Sequence, residues 1–245
     1  EREDNADYPS ITENISSGKN IWQLTNLWIR NSEKNHIDRW GSYSKDYRGF
    51  CTRHDHNGDQ DGKDLIWIAR HTDSKGYLEK YDASTGEYLG ILELSGTYEK
   101  STFPCNDVFV DDGGNLCIMN LKNSTTTEDG DLKDDDLEIV VVDPKTGAVQ
   151  DSPRFRVSLV GVRIDHANIV GDITSGEAYI FGATSNVNAN VYRWKLVNGV
   201  LINATPTTNK IATFYPSKTS GTTVKMLGTA ARIYPINKDY FYVDG

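Results

Sequence analysis

The 245-residue sequence predicts an all-β chain in which a unit of four antiparallel strands recurs about every sixty residues, the organisation of β-propeller blades. Three observations predict it. One hairpin pattern returns along the chain, one turn pattern returns between a second pair of strands, and a composition 37% hydrophobic but 10% aromatic suits short strands joined by polar loops.

The hairpins come first. Asn106–Met119, Asn168–Phe181 and Arg232–Val243 each begin with a short β-type run, pass a polar turn and return as a second run. A further copy lies upstream, where Arg48–Arg53 is followed after a polar loop by Leu65–Ala69. The equivalent apolar positions are Phe50, Val108, Ile169 and Ile233, separated by 58, 61 and 64 residues. Spacing this even marks a structural repeat.

The second strand pairs are joined by Asp82-Ala-Ser-Thr-Gly86, between Tyr77–Tyr81 and Tyr88–Leu94, and by Asp143-Pro-Lys-Thr-Gly147, between Leu137–Val142 and Ala148–Val157. In a third copy Asn198-Gly199 joins Val191–Val197 to Val200–Ala204. Gly and Asn supply the positive φ of tight turns, and an Asp side chain bonds the turn backbone. The blades expected are 48–97, 104–158, 165–215 and a partial 229–245, in one domain over 1–245.

These turns resemble those of β-propeller repeat proteins whose blades carry Tyr/Val-Asp-x-x-Thr-Gly, and the resemblance covers about residues 48–245. The Trp- and Asn-rich strands with long polar loops also resemble surface lipoproteins of the Bacteroides group. The last copy stops after two strands. Either the strand-like stretches within 20–43 close a four-bladed ring by joining the two ends, or the chain is part of a larger ring; blades of sixty residues favour the larger ring.

Composition excludes several roles. A net charge of −9 without a Lys/Arg stripe repels a phosphate backbone, so nucleic acid is no expected partner. The longest apolar cluster, Ile139–Val142, is far short of a transmembrane segment. The opening Glu1-Arg2-Glu3-Asp4 fits a mature exported chain, and any lipid anchor would lie outside the given sequence. Cys51, Cys105 and Cys117 read as small buried hydrophobes, with one pairing, such as Cys105 with Cys117, left open.

The sharpest local motif runs from Asp55 to Asp64, where Asp55, Asn57, Asp59, Asp61 and Asp64 offer hard oxygen ligands on a glycine-bearing loop. It resembles the Asp-x-Asn-Gly-Asp calcium loops of integrin-type propellers, though it is one residue longer before Asp64. The resemblance implies a structural Ca2+ site; the alternative is a solvated hairpin loop. His54 and His56, two apart, could share a transition metal, but surface exposure explains them more simply. The carboxylate runs Glu128–Asp131 and Asp134–Asp136 read as a solvated loop.

Propeller ligands usually enter a central funnel lined by loops that join second to third strands and one blade to the next. Those positions hold Tyr47, Arg48, Arg70, His71, Asn120, Arg163, His166 and Arg232, together with Thr72, Asp165, Thr184 and Asn186. Cations and amides at strand ends suit carboxylates or sugar hydroxyls. The alternative is that they cap turns and pair with acids such as Asp46, Asp73 and Asp107.

No Gly-x-Ser-x-Gly elbow, His-Glu-x-x-His, phosphate-binding glycine loop or Cys-x-x-Cys occurs. The reading that follows is an exported, non-catalytic propeller at a bacterial cell surface or in the periplasm, binding a glycan, a peptide or a partner protein of a surface complex; its location rests on the resemblance. The rival is a glycoside hydrolase or polysaccharide lyase with its site in the funnel, and two carboxylates about 5–10 Å apart would favour hydrolysis. A purely structural scaffold is a third reading, favoured by an exposed apolar patch. Trp22, Trp28, Trp40 and Trp67 are expected to pack in cores.

Overall fold

The computed structural model describes residues 47–72, 75–96, 103–121, 136–158, 164–184, 189–203, 209–214, 218–219, 222–223 and 231–244. The stretches at 20–43 and the acidic residues 128–135 lie outside them, as do Arg163 and Asn186.

The first sheet holds β1 (Tyr47–Arg53), β2 (Leu65–Thr72), β3 (Lys75–Asp82) and β4 (Tyr88–Glu93), in that spatial order and antiparallel throughout. The second repeats the plan with β5 (Phe103–Val110), β6 (Leu116–Leu121), β7 (Asp136–Val142) and β8 (Val149–Ser158). In the third, β9 (Ile164–Val170), β10 (Glu177–Thr184) and β11 (Ala189–Val197) are followed by an outer edge split between β12 (Val200–Leu201) and β13 (Lys210–Phe214), both paired to β11. A single strand over Val200–Ala204 was expected there. The intervening sequence contains Pro206, which has no N–H to give to a ladder. After a small pair, β14 (Lys218–Thr219) with β15 (Thr222–Thr223), the hairpin of β16 (Arg232–Pro235) and β17 (Phe241–Asp244) forms a last, two-stranded sheet.

The sheets are stacked face to face about a shared axis. Inner strand β1 lies against β5, β5 against β9 and β9 against β16. This is a β-propeller arrangement, and each hydrophobic cluster is one seam between consecutive blades. Trp67, Leu78 and Leu92 of the first blade meet Val108, Ile118 and Val140 of the second. The opposite face of the second blade supplies Met119, Ile139 and Phe155, which meet Ile169, Ile180 and Trp194. Phe181, Val191 and Ile233 close the third seam, with Phe241 packed against it.

Because strand side chains alternate faces, a blade covered on both sides needs apolar residues at every position. β6 is buried along its whole length, and β7 reads Leu-Glu-Ile-Val-Val-Val over 137–142. Cys105 and Cys117 are buried in these seams and all three cysteines are free, so the packing role holds.

A second repeat is visible only in three dimensions. Register slips occur between Tyr47 and Phe50, between Phe103 and Asp107, and opposite Gly182–Thr184 on β9. In all three blades the surplus residues fall on the first part of the innermost strand. Such bulges increase local twist and redirect side chains, and here they act where the inner strands converge. Cys105 sits in one with φ of +52°.

Candidate functional site

The two ends of the barrel-like stack are chemically different. At one end lie the turns between first and second strands and between third and fourth strands, and their polar side chains satisfy the backbone of their own blade or the next. Asp82 Oδ1 accepts from the backbone N–H groups of Ser84 and Thr85 at 2.9 and 3.0 Å, and Gly86 N–H donates to the Asp82 carbonyl. Asp143 repeats the pattern with Lys145 and Thr146, both at 2.8 Å, and with Gly147. These hydrogen bonds hold both carboxyls below the usual carboxylate range, led by the Ser84 hydroxyl at Asp82 and the Thr146 N–H at Asp143.

The loop proposed for calcium belongs to this end. It consists of two consecutive turns in which Asn57-Gly58 and Asp61-Gly62 take positive φ, closed by Asp59 N–H to His56 O and Lys63 N–H to Gln60 O. Asp55 faces inward, with Oδ1 accepting from Gln60 N–H at 2.6 Å and Gly62 N–H at 3.2 Å, and Oδ2 from Gly58 N–H at 2.9 Å. Asp59 grips Arg53 through two hydrogen bonds, at 2.8 and 2.5 Å, and Asp64 takes the Asp55 N–H and the His54 ring.

Gln60 fills the middle, donating to Arg53 O and Lys63 O while accepting from the Trp67 indole. Among the described residues no three His, Cys, Asp or Glu side chains are grouped to hold a metal ion. In this arrangement the carboxylates of Asp55, Asp59 and Asp64 are turned to N–H donors of the loop and of Arg53. His54 and His56 do not converge on a shared point either: the former pairs with Asp64 and the latter lies against Gly114.

The opposite end carries the residues expected to line a funnel. Several are committed to the walls. Arg70 pairs with fully buried Glu79 at 3.5 Å, and Tyr81 donates to the same carboxylate at 2.9 Å. Asn120, also fully buried, accepts from Cys105 N–H at 2.8 Å and donates to Glu138 at 2.9 Å, which in turn faces Arg154. Arg48 Nε donates to His71 Nε2 at 3.3 Å. Asp165 and Thr184 are buried, and Thr184 Oγ1 accepts from Asn190 N–H. Tyr47 and Thr72 are placed by their strands, at the start of β1 and the end of β2.

His166 and Arg232 are placed differently. They lie beside a cavity of about 250 Å³ at the axis, walled by β1, β5, β9 and β16 and including Phe50, Thr52, Asn168 and Tyr234. His166 Nδ1 accepts the Ile233 N–H at 3.3 Å, which puts the ring proton on Nε2, 3.1 Å from Asp107 Oδ2. Asp107 Oδ1 accepts from Val108 N–H.

Burial, followed by the charge of Arg232, lowers the His166 pKa to about 4; burial also drives Asp107 well above its ordinary value. Gly49 is needed beside this pair, since a Cβ there would stand 1.8 Å from Asp107 Oδ1. Tyr234 stacks at a tilt on the His166 ring, 5.6 Å between centroids, and remains 41% exposed, while Phe50 is 67% exposed. These two rings and Asn168 were not singled out as ligand contacts from sequence. The repeat spacing that aligned Phe50 with Ile233 was the available clue, because inner strands line the axis of a propeller.

A second, wider groove of about 460 Å³ lies at the turn end between the first and second blades, edged by Lys63, Lys80 and Lys145 over Leu65 and Leu89. Lys63 is paired with Asp82.

No family model matches the chain, and no curated protein does. Among solved structures it is similar to a glycoside hydrolase family 43 arabinoxylan arabinofuranohydrolase from Bacillus subtilis in complex with cellotetraose, at a TM-score of 0.46 and 11% identity. The match covers 80% of this chain and 41% of that one, so the chain spans less than half the length of that protein.

Proposed function

We propose that the protein is a carbohydrate-binding propeller whose site is the axial cavity, and that it holds its ligand without cleaving it. The observation that carries this reading is the exposure of two aromatic rings, Phe50 and Tyr234, in a cavity that also presents Arg232 and Asn168. A sugar ring has apolar C–H faces and a polar rim, and it is matched by an aromatic platform with hydrogen-bonding groups at its edge. The size, about 250 Å³, suits one or two sugar units rather than a peptide strand. An exported setting belongs to the same proposal and is supported by the sequence resemblance alone.

Hydrolysis needs an acid and a second carboxylate facing the same glycosidic bond. Among the described residues that line the cavity none is a carboxylate, and nearby Asp107 is only 1% exposed and turned to His166. Calorimetric titration with a panel of oligosaccharides, with chromatography of the recovered sugars, separates the readings. Binding of at least one glycan, weakened about tenfold in Tyr234→Ala and recovered uncut, is expected. Cleaved products would replace the proposal with the glycosidase reading, and no binding across the panel would overturn it.

A further inference from the structure

The hydrogen-bonding capacity of the axial cavity is lopsided, and the imbalance specifies its ligand. Arg232 is half-buried, lines the cavity and has no hydrogen-bond or ion-pair partner among the described residues. Its guanidinium offers five N–H donors and no acceptor. Asn168 uses its Oδ1 to accept from Ile169 N–H at 2.8 Å, which fixes the amide's orientation and leaves the NH2 group as its free end.

The nearby acceptors are already engaged. His166 has one ring nitrogen on Ile233 N–H and the other on Asp107. Asp107 accepts from Val108 N–H, keeps Oδ2 buried 3.1 Å from His166 Nε2, and is 1% exposed, so its remaining lone pairs do not reach a ligand. Thr52, whose hydroxyl works in either sense, does not redress the balance. A neutral sugar brings hydroxyl donors as well as acceptors to such a wall. A carboxylate brings acceptors alone, in the planar geometry that a guanidinium matches with two parallel hydrogen bonds.

We propose that the ligand is an acidic sugar, with the carboxylate of a uronate residue on Arg232 and Asn168 and the face of the sugar ring on Tyr234. This rests on the carbohydrate-binding reading above and narrows it to one class.

The test uses matched probes: oligosaccharides of glucuronate, galacturonate or mannuronate, and the same oligosaccharides after reduction of each carboxylate to a primary alcohol, which keeps ring stereochemistry and removes the charge. Titrated calorimetrically against the whole chain, at least one acidic probe should bind tenfold or more tightly than its reduced partner, as a charge-assisted pair predicts. Arg232→Gln should erase the preference while leaving the thermal melting temperature within a few degrees, and Tyr234→Ala should weaken acidic and reduced forms alike.

Equal binding of both forms, or an acidic preference that survives in Arg232→Gln, overturns the carboxylate assignment and leaves the carbohydrate reading in place. Failure of all acidic and reduced probes to bind, while other neutral glycans in the panel do, overturns it equally. Failure of every glycan overturns both. If Arg232→Gln does not fold, Arg232→Lys, which keeps the charge without the planar fork, should retain part of the preference, and an unchanged preference there would count against a paired carboxylate.

Discussion

His166 is a buried imidazole kept neutral at the axis. An unfolded His takes a proton near pH 6.5, whereas this one resists until about pH 4. Between those values the unfolded chain binds more protons than the folded one, so His166 costs stability as the pH falls through that window. Asp107 acts in the opposite sense, because its carboxyl holds a proton in the folded state at pH values where the unfolded chain has lost it. Urea denaturation of His166→Gln from pH 7 to pH 4 should therefore show a flatter loss of stability than the parent, by on the order of 2 kcal/mol at the acid end. A parallel pair of curves would mean that the ring is not held neutral.

Gly147 tests local geometry at the same scale. Its φ is +76°, and a Cβ would stand 2.1 Å from the Glu93 carbonyl of the neighbouring blade. Gly147→Ala should destabilise by about 2 kcal/mol or more, read from the urea midpoint. Gly58, with similar φ of +74° and open space around its Cβ position, should cost less when replaced by Ala.

The turns act as elements that join blades as well as strands. Arg53 holds Asp59 in its own loop and sends Nε to the Gly114 carbonyl of the second blade at 2.7 Å. Asp111 continues the chain of contacts: it accepts from Asn115 N–H and, across the next seam, from Ile173 N–H, both at 2.7 Å. Asp112 Oδ2 also takes Gly171 N–H. Breaking either junction leaves buried N–H or C=O groups without partners. Arg53→Ala and Asp111→Ala should each lower stability by about 2–3 kcal/mol, measured by denaturant unfolding, with hydrogen exchange rising first at the affected seam.

The Asp55–Asp64 loop is tested at this scale too. A loop whose carboxylates already receive Gln60, Gly58 and Gly62 N–H groups and Arg53 is expected to keep its melting temperature when the protein is treated with a chelator. A fall of several degrees, restored by calcium, would show that the loop opens to take an ion.

For the whole molecule, stability resides in seams, since each blade buries its faces only against its neighbours. Trp194 illustrates the consequence. It is fully buried, meets Phe155 of the preceding blade edge-on at 5.6 Å and stacks on Tyr192 at 5.5 Å. Trp194→Ala should cost about 3–5 kcal/mol and loosen the second and third blades together. Unfolding confined to the third blade would contradict a shared seam. The last hairpin exposes Tyr234 and Tyr242, at 41% and 68%.

The repeat made the blades legible. Phe50, Val108, Ile169 and Ile233 recur at near-constant spacing because each occupies the same place in an inner strand, and Asp82 and Asp143 recur because each carboxylate closes the same turn. Those are local instructions, written in strand alternation and turn chemistry. The site was legible only in part: His166 and Arg232 were identified from their strand ends, yet nothing local distinguished them from Arg70 and Asn120, whose side chains the walls consume.

The same limit applied to the Asp55–Asp64 loop, whose oxygens suit calcium by residue type and face amides by conformation. Strands, turns and the sixty-residue period follow from residue order alone. Which polar groups meet one another and which are left facing the axis emerges in three dimensions, because it depends on the packing angle of one sheet on the next and on bulges that turn the inner strands.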